Sequence, residues 1–334
     1  MSDMKTLVQN FPHNLREAIQ IGEKFKPVHF GSHTTVNIQN CIVTGLGGSG
    51  IGGTIVSEIV AAECSVPVLV NKDYFLPAFV NEHTLVIVSS YSGNTEETLH
   101  AFEAALKAKA IVVCVTSGGA VAEMARKNNC DLILIPGGMP PRACLGFSLT
   151  QLFYILNKAK LIGSAFSSQL QDAIELIATE EKTIRSEAMK LAESLHGKIP
   201  VIYAIDGYNG VATRFRQQIN ENSKMLCWHH ILPEMNHNEL VGWAEKHPEC
   251  AVVILRSESD YSRTQARVEI SKEVFGKYAA SVSELWSKGN SALERSIYLI
   301  HLTDWVSCYL ADKKGIDAVE VNIINHLKGS LAKI

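Results

Sequence analysis

The 334-residue sequence contains no long apolar run and no closely spaced pair of cysteines. Its longest apolar stretches, AIVVCV (110–115) and AVVIL (251–255), have the length of strands, whereas a membrane-spanning helix needs roughly 18 or more apolar residues. The eight cysteines are scattered, and none belongs to a C-x-x-C pair. We therefore expect reduced, buried thiols and no disulfide, zinc site or membrane span.

Blocks of like charge are also missing. The formal net charge is −3, and acidic and basic residues are mixed along the chain. This pattern disfavours a nucleic-acid partner and a strongly charged protein partner.

The opening residues, MSDMKTLVQNF, do not combine a basic segment with an apolar run as a secretory signal does, so we expect a cytoplasmic protein.

What the sequence does contain is a regular alternation of short apolar runs and longer helical patterns. Such alternation is typical of βαβ units around a parallel sheet. Strands are predicted at 41–46, 67–70, 84–90, 110–116, 131–136, 199–205, 251–256 and 281–285, and helices at 51–63, 95–109, 120–128, 147–159, 170–195, 290–312 and 319–333.

The two halves of the chain look alike. CIVTGLGGSG (41–50) and PVIYAIDGYNG (200–210) both carry a strand and a glycine-bearing loop, and a helix follows each. We predict an α/β fold of two doubly wound parallel-sheet subdomains, each with three α/β/α layers. The predicted division is residues 1–155 and 156–334.

The first glycine loop, GLGGSG (45–50), fits the dinucleotide pattern G-x-G-x-x-G. Glycines between a strand and a helix let backbone N–H groups approach an anion. A nicotinamide dinucleotide also requires an acidic residue about 20 positions later, at the end of the second strand. That strand runs into Asn71 and Lys72, and Asp73 comes late, so the loop indicates a phosphate-like ligand and disfavours a dinucleotide.

A second loop, SSYSGNTEET (89–98), follows the third predicted strand. The hydroxyls of Ser90, Ser92 and Thr95 are neutral donors at a helix N-terminus, which can hold a phosphate. We expect Asn94 to cap this helix, with Glu97 as its capping-box partner. Because ligands bind at the carboxyl ends of parallel strands, both loops are predicted to line one pocket.

Together, GLGGSGIGG (45–53) and SYSGNTEET (90–98) resemble the sugar isomerase (SIS) domain, whose serine- and threonine-rich loop binds a sugar phosphate. Three further motifs resemble the bifunctional phosphoglucose/phosphomannose isomerases: PRACLGFSL (141–149), NENSK (220–224) and LPEMNHNELVGW (232–243). The resemblance implies interconversion of glucose 6-phosphate, and of mannose 6-phosphate, with fructose 6-phosphate through a cis-enediolate. It implies no cofactor and no metal.

The resemblance also implies roles for particular residues. Glu221 is the base that moves the proton between C1 and C2, although the pattern alone favours a solvated helix glutamate. Arg142 is the cation near the enediolate oxygens. Lys328, on the final helix, reaches the ring oxygen or the hydroxyls. The backbone at Gly47 and Gly48 and the Ser49 side chain contact the sugar or its phosphate.

The final helix carries the apolar residues Val321, Ile324 and Leu327, and we expect this face to dock on the core. The family usually has a proline just before Val321, where this chain has Glu320. That departure leaves the start of the helix in question.

His237 is implied in ring opening, and in isomerases of this type such a histidine comes from the partner subunit. We therefore expect a homodimer with shared active sites. Glu234 and His237 also have the i, i+3 spacing of a metal pair. The chain lacks H-E-x-x-H and a second nearby histidine at ligand spacing, so a metal site is disfavoured.

Two other functions compete with an isomerase. A non-catalytic SIS sensor would bind a phosphosugar, usually beside a DNA-binding helix-turn-helix segment, which is not evident in this sequence. A glutamine-dependent aminosugar synthase would need an N-terminal cysteine nucleophile, and Cys41 is too late and lies in a predicted strand.

Overall fold

The computed structural model describes residues 3–31, 37–331 and 333. In the first half, the apolar runs form parallel strands and the segments between them form helices. In chain order the elements are α1 (Met4–Gln9), α2 (Phe11–Lys24), β1 (Asn40–Thr44), α3 (Gly47–Ile59), β2 (Val68–Asn71), β3 (Thr84–Ser89), α4 (Glu96–Lys107), β4 (Ile111–Thr116), α5 (Gly119–Lys127), β5 (Asp131–Leu134) and α6 (Leu145–Lys158).

The second half repeats this plan with a smaller sheet. Its elements are α7 (Ala165–Thr179), α8 (Glu181–Leu195), β6 (Ile199–Ile205), α9 (Asn209–Ser223), β7 (Trp228–Leu232), β8 (His247–Arg256), α10 (Ser262–Tyr278), β9 (Ala279–Trp286), α11 (Ala292–Lys314) and α12 (Asn322–Leu331).

Both sheets are parallel, and their strand orders correspond. The first is β2-β1-β3-β4-β5 and the second β7-β6-β8-β9, so that β6, β7, β8 and β9 take the places of β1, β2, β3 and β4. Every residue of β3 and β4 is buried, because helices cover both faces of the sheet. The predicted fold class, two parallel-sheet α/β subdomains with flanking helices, is confirmed.

Helix α3 of the first half packs against helix α9 of the second half. A Cβ on Gly210, in the first turn of α9, would lie 2.9 Å from the backbone nitrogen of Ile55 in α3. Only glycine permits so close an approach.

Helix α11 packs against α7, α8 and α9 and is buried along most of its length. Its capping box, Ser291 with Glu294, fixes where it begins.

Some predicted boundaries differ from the structure. The helix predicted over 170–195 is two helices, α7 and α8, that meet at Glu180. The sequence does not predict the edge strand β7, because only its last residue, Leu232, is fully buried. The division at 155/156 falls inside α6 and remains a prediction. Within the described residues, no helix is long and apolar enough to cross a membrane.

Candidate active site

The glycine loop leads directly from β1 into α3. The helix begins at Gly47, four residues earlier than predicted, so the loop itself forms the first helical turn. The first N–H groups of a helix have no intrahelical acceptor, and here they belong to Gly47 and Gly48. A Cβ on Gly48 would lie 3.1 Å from the carbonyl oxygen of Pro141. The glycine loop therefore packs against the loop that carries Arg142.

Hydrogen bonds join the glycine loop to the serine loop. Ser49 Oγ accepts from the backbone N–H of Tyr91, at 3.1 Å. The phenol oxygen of Tyr91 in turn accepts from the N–H of Met139, at 3.2 Å, in the loop before Arg142. Three loops from different strands thus meet at the carboxyl edge of the first sheet, as the sequence predicted for two of them.

The predicted helix cap at Asn94 is wrong. Thr95 occupies the N-cap position of α4, and Asn94 Oδ1 instead accepts from the N–H of Ala120 at the start of α5 (3.0 Å). Ser90 Oγ donates to Thr95 Oγ1 at 3.3 Å, and Ser92 Oγ accepts from the N–H of Asn94 at 3.3 Å. The three predicted phosphate-binding hydroxyls therefore surround one helix N-terminus.

The structure brings Arg142 and Glu221 together, although 79 positions separate them in the sequence. Arg142 Nη1 lies 3.4 Å from Glu221 Oε2, and the two side chains are 5% and 29% exposed. Arg142 Nε donates to Asn222 Oδ1 at 2.7 Å. Burial lowers the pKa of Arg142, and the nearby Glu221 carboxylate opposes that shift. The pair is a cation beside a partly exposed carboxylate, as proton transfer next to a developing negative charge requires.

A buried polar row on α9 holds this arrangement in place. Arg214 Nη2 donates to the carbonyl of Arg142 (3.0 Å) and to Asp304 Oδ2 (2.6 Å). Gln218 Nε2 donates to Asp304 Oδ1 at 3.0 Å, and Asn222 Nδ2 donates to a serine on α11. Residues 214, 218 and 222 are four apart and share one helix face, a spacing that is visible in the sequence as polar residues at i, i+4 and i+8.

Lys328 stands apart from these residues. It is exposed, and within the described residues it forms no hydrogen bond or ion pair. The expected docking of the final helix on the core is wrong, because no residue of α12 is buried in this chain. The carboxylate of Glu320 accepts from the N–H of Asn322, so it serves the first turn of α12 where the family usually has a proline.

In the part of the chain that the structure describes, no hydrogen bond or ion pair joins His237 to Glu221, and Glu221 is not among the residues that line the cavity beside His237. His237 is exposed in a short turn and lines a cavity of about 690 Å³ together with Glu58, Asp206, His229 and Glu234. Burial lowers the pKa of His229 to about 4, with Arg216 the next cause. Among the described residues, no group of three or more histidine, cysteine or acidic side chains is arranged to hold a metal ion.

The fold and these loops define a class of protein. Residues 184–331 match the model of the bacterial phospho-glucose isomerase C-terminal SIS domain. The fold is similar to the C-terminal domain of glucosamine-fructose-6-phosphate aminotransferase from Francisella tularensis, with a TM-score of 0.78 at 14% identity over 96% of this chain and 99% of that one. The second half of the chain therefore resembles a SIS domain, and the whole chain has the fold of that aminotransferase domain.

Relatives narrow the class further. A bifunctional phosphoglucose/phosphomannose isomerase from Caldicellulosiruptor bescii is 38% identical over 98% of each chain. Another from Aquifex aeolicus is 38% identical over 88% of this chain and 91% of the relative. The chain therefore belongs to the bifunctional phosphoglucose/phosphomannose isomerase family and is an isomerase, which confirms the resemblance found in the sequence.

Proposed function

We propose that the protein interconverts glucose 6-phosphate and mannose 6-phosphate with fructose 6-phosphate through a cis-enediolate, without a metal or cofactor. The observation that carries this proposal is the pairing of Glu221 with Arg142 at 3.4 Å, beside the loop that packs against the glycine loop. The names of the relatives supply the substrates.

The serine loop is the proposed phosphate site. Ser90, Ser92 and Thr95 offer neutral donors at the N-terminus of α4, where the helix dipole favours an anion. Gly47, Gly48 and Ser49 border the same edge of the sheet and contact the sugar end of the substrate. Holding the phosphate fixes C1 and C2 with respect to Glu221.

Glu221 is the proposed base. With the open-chain aldose, its carboxylate takes the proton from C2, the C–H electrons form the C1=C2 bond, and negative charge develops on O1. The guanidinium of Arg142 stabilises that charge because it is cationic at all working pH values. Return of the proton to C1 and transfer of a hydroxyl proton from O2 to O1 complete the ketose, so that no atom is lost or gained.

His237 and Lys328 complete the proposed proton chemistry from elements that lie apart from Glu221 in one chain. We assign His237 to ring opening in the site of a partner subunit, which makes the working form a homodimer. Lys328 is assigned to the ring oxygen or hydroxyls. Support comes from the exposure of His237 and of the whole of α12. Acceptance of both epimers follows if the enediolate rotates about C2–C3, since either face of C2 then meets the base.

The test is an NMR assay of the purified protein with each of the three hexose 6-phosphates after exhaustive chelation. We expect all three to equilibrate at unchanged rate with and without chelator. Strict dependence on a divalent metal would refute the mechanism. Binding of the phosphosugars without turnover would identify a non-catalytic sensor instead.

A further inference from the structure

Four consecutive backbone carbonyls, those of residues 317–320, accept hydrogen bonds from two side chains. This segment, here named the strap, joins α11 to α12. Arg142 Nη2 donates to the carbonyls of Ala318 (2.6 Å) and Val319 (3.0 Å). Lys224 Nζ donates to those of Asp317 (2.8 Å) and Glu320 (2.7 Å). The two cations that hold the strap both contact the proposed base, Arg142 at its carboxylate and Lys224 at its backbone carbonyl.

Lys224 connects the strap to the proposed base directly. Its third donor bond goes to the backbone carbonyl of Glu221, at 2.8 Å, so that its three N–H groups are all used. The residue ends α9 in the left-handed conformation, with φ of +50°, which turns the chain so that the ammonium lies back over the last helical turn. Within the described residues Lys224 has no carboxylate partner closer than 4 Å, so its contacts are to backbone alone.

The strap is the point from which α12 departs. No residue of α12 is buried, and Ile323 and Leu327 are exposed apolar side chains. Helix α12 therefore has little packing of its own in this chain, and its direction depends on how residues 317–320 are held. Lys328 is carried on this helix.

We propose that Lys224 is a positioning residue for the isomerisation. Its ammonium fixes the strap against Glu221 and thereby sets the position of α12 and of Lys328 on that helix. This inference rests on the proposed function. The observation that supports it is that the ammonium bonds to the backbone of the base-bearing residue and of the strap and to no other part of the described chain.

The first test is the Lys224→Asn variant. Asparagine tolerates the left-handed conformation, so the end of α9 is preserved, but its side chain is too short to reach the strap. We expect kcat to fall about 10- to 100-fold, since misplacement of a site element by about 1 Å has effects of that size, while KM stays within about threefold. Lys224→Arg, which keeps the charge and reach, is expected to recover most of the rate. Lys224→Gly serves as the second variant if Lys224→Asn does not fold.

The matched control is Lys198→Met. Lys198 Nζ donates to the carbonyl of Pro248 at 2.8 Å, a bond of the same kind far along the chain from the strap. We expect kcat and KM of this variant to equal those of the wild type. A Lys224→Asn kcat within twofold of wild type would overturn the proposal.

A double-mutant cycle with Lys328→Met tests the route of the effect. If Lys224 acts through α12, the Lys224→Asn/Lys328→Met double variant has a kcat within about threefold of Lys328→Met alone. Effects that multiply instead would contradict the proposal, because Lys224 would then act only through Glu221.

Hydrogen exchange gives a readout that does not need activity. Peptides covering residues 317–331 are expected to exchange faster in Lys224→Asn than in the wild type and unchanged in Lys198→Met. Unchanged exchange in Lys224→Asn would refute the positioning role even if the enzyme is active. A wild-type protein that isomerises no hexose 6-phosphate would refute the proposed function separately, while the exchange result still decides whether Lys224 holds the strap.

Discussion

The first and second halves of the molecule have corresponding loops between strand and helix, but different groups accept hydrogen bonds from the N–H groups of those loops. In the first half, α3 begins at the glycine loop. In the second half, α9 begins at the corresponding place after β6, and the backbone N–H of Gly210 donates to both carboxylate oxygens of Glu58, each at 3.0 Å. A side chain from α3 thus occupies the helix N-terminus where an external anion would sit.

The loop after β8 repeats the contrast. It corresponds to the serine loop after β3 and also contains serines, Ser257 and Ser259, whose hydroxyl oxygens lie 2.8 Å apart. The N–H of Ser257 donates to Asp260 Oδ2 at 2.9 Å. Burial raises the pKa of Asp260, and its hydrogen bond from Ser257 opposes the shift.

The difference shows that a strand–loop–helix junction alone does not make a phosphate site. Both halves offer N–H groups and hydroxyls at helix starts, but in the second half two internal carboxylates, Glu58 and Asp260, accept from them. The first half uses Ser90, Ser92 and Thr95, which bring no negative charge. We expect an incoming phosphate to be attracted to the serine loop of the first half, whereas in the second half Glu58 and Asp260 already occupy the N–H donors that it would need.

Among the substitutions that compare the candidate site with other parts of the molecule, we expect Glu221→Gln to cause the largest loss of kcat. Removing the proposed base should lower kcat by about 10³-fold or more, with KM within a few fold, because proton transfer to a placed base contributes about 10²–10⁴-fold. Steady-state kinetics with fructose 6-phosphate measure this. Glu58→Gln, the matched carboxylate on α3, is expected to keep kcat within about threefold of wild type.

Arg142→Lys should have the next largest effect. Lysine cannot reproduce the fork that contacts Glu221 and Asn222 at once, so we expect kcat to fall about 100-fold. The control is Arg256→Lys, a buried arginine of the second half that bonds to Glu269 at 2.8 Å and to Glu284. That variant should lower the melting temperature and leave kcat near wild type; a similar loss of kcat in both variants would contradict the assignment.

The paired serine loops predict a smaller effect on binding. Ser92→Ala removes one hydroxyl near the proposed phosphate site, and a hydrogen bond to a charged group contributes about 1.5–3 kcal/mol, so KM should rise at least about 10-fold with little change in kcat. Ser259→Ala removes an exposed hydroxyl from the corresponding loop of the second half. If both variants raise KM equally, the two loops do not differ as proposed.

The smallest effect concerns the pH dependence of stability at Glu58. Burial raises the pKa of this carboxyl from its ordinary value of 4.5 to about 7, and the hydrogen bond from Gly210 opposes the shift. Between these two pH values the folded protein binds more protons than the unfolded chain, so the contribution of Glu58 to the free energy of unfolding falls as pH rises through this range and is level above it.

Thermal melts of the wild type and Glu58→Gln at pH 5 and pH 8 measure this contribution. The wild type should lose about 2–4 °C relative to the variant between the two pH values. Glu175→Gln, on an exposed face of α7, should show no such difference. A wild type that gains stability relative to Glu58→Gln with rising pH would show that the charged form of Glu58 is favoured at the N-terminus of α9.

The sequence predicted the elements whose patterns are strong and local. Strands β3 and β4 are continuous apolar runs because both faces are buried, and α11 has a capping box at one end and Gly315 just beyond the other. The edge strand β7 lacks such a run, and nothing in the helix-forming residues around Glu180 indicates the break between α7 and α8.

The sequence motifs predicted which residues are candidates for the site, but they did not predict which side chains contact one another. Motifs identify Arg142, Glu221 and the serine hydroxyls as candidates. The hydrogen bond between Arg142 and Asn222 spans 80 positions of sequence, however, and the bond from Lys224 to the last carbonyl of the strap spans 96. Local patterns carry no information about which distant acceptor a side chain will meet. For the same reason the predicted cap at Asn94 is wrong, because its amide oxygen serves a different helix.

By itself, then, the sequence determined the alternating α/β plan and the chemical character of the loops, because periodicity and residue type are properties of neighbours in the chain. Only the tertiary structure decided which helix N-terminus an internal carboxylate fills. Glu58 reaches Gly210 across 152 positions, and Arg142 reaches Glu221 across 79. Those contacts exist because α3, α9 and the loop after β5 pack at one junction, where a partly buried acid from one half meets the helix start of the other.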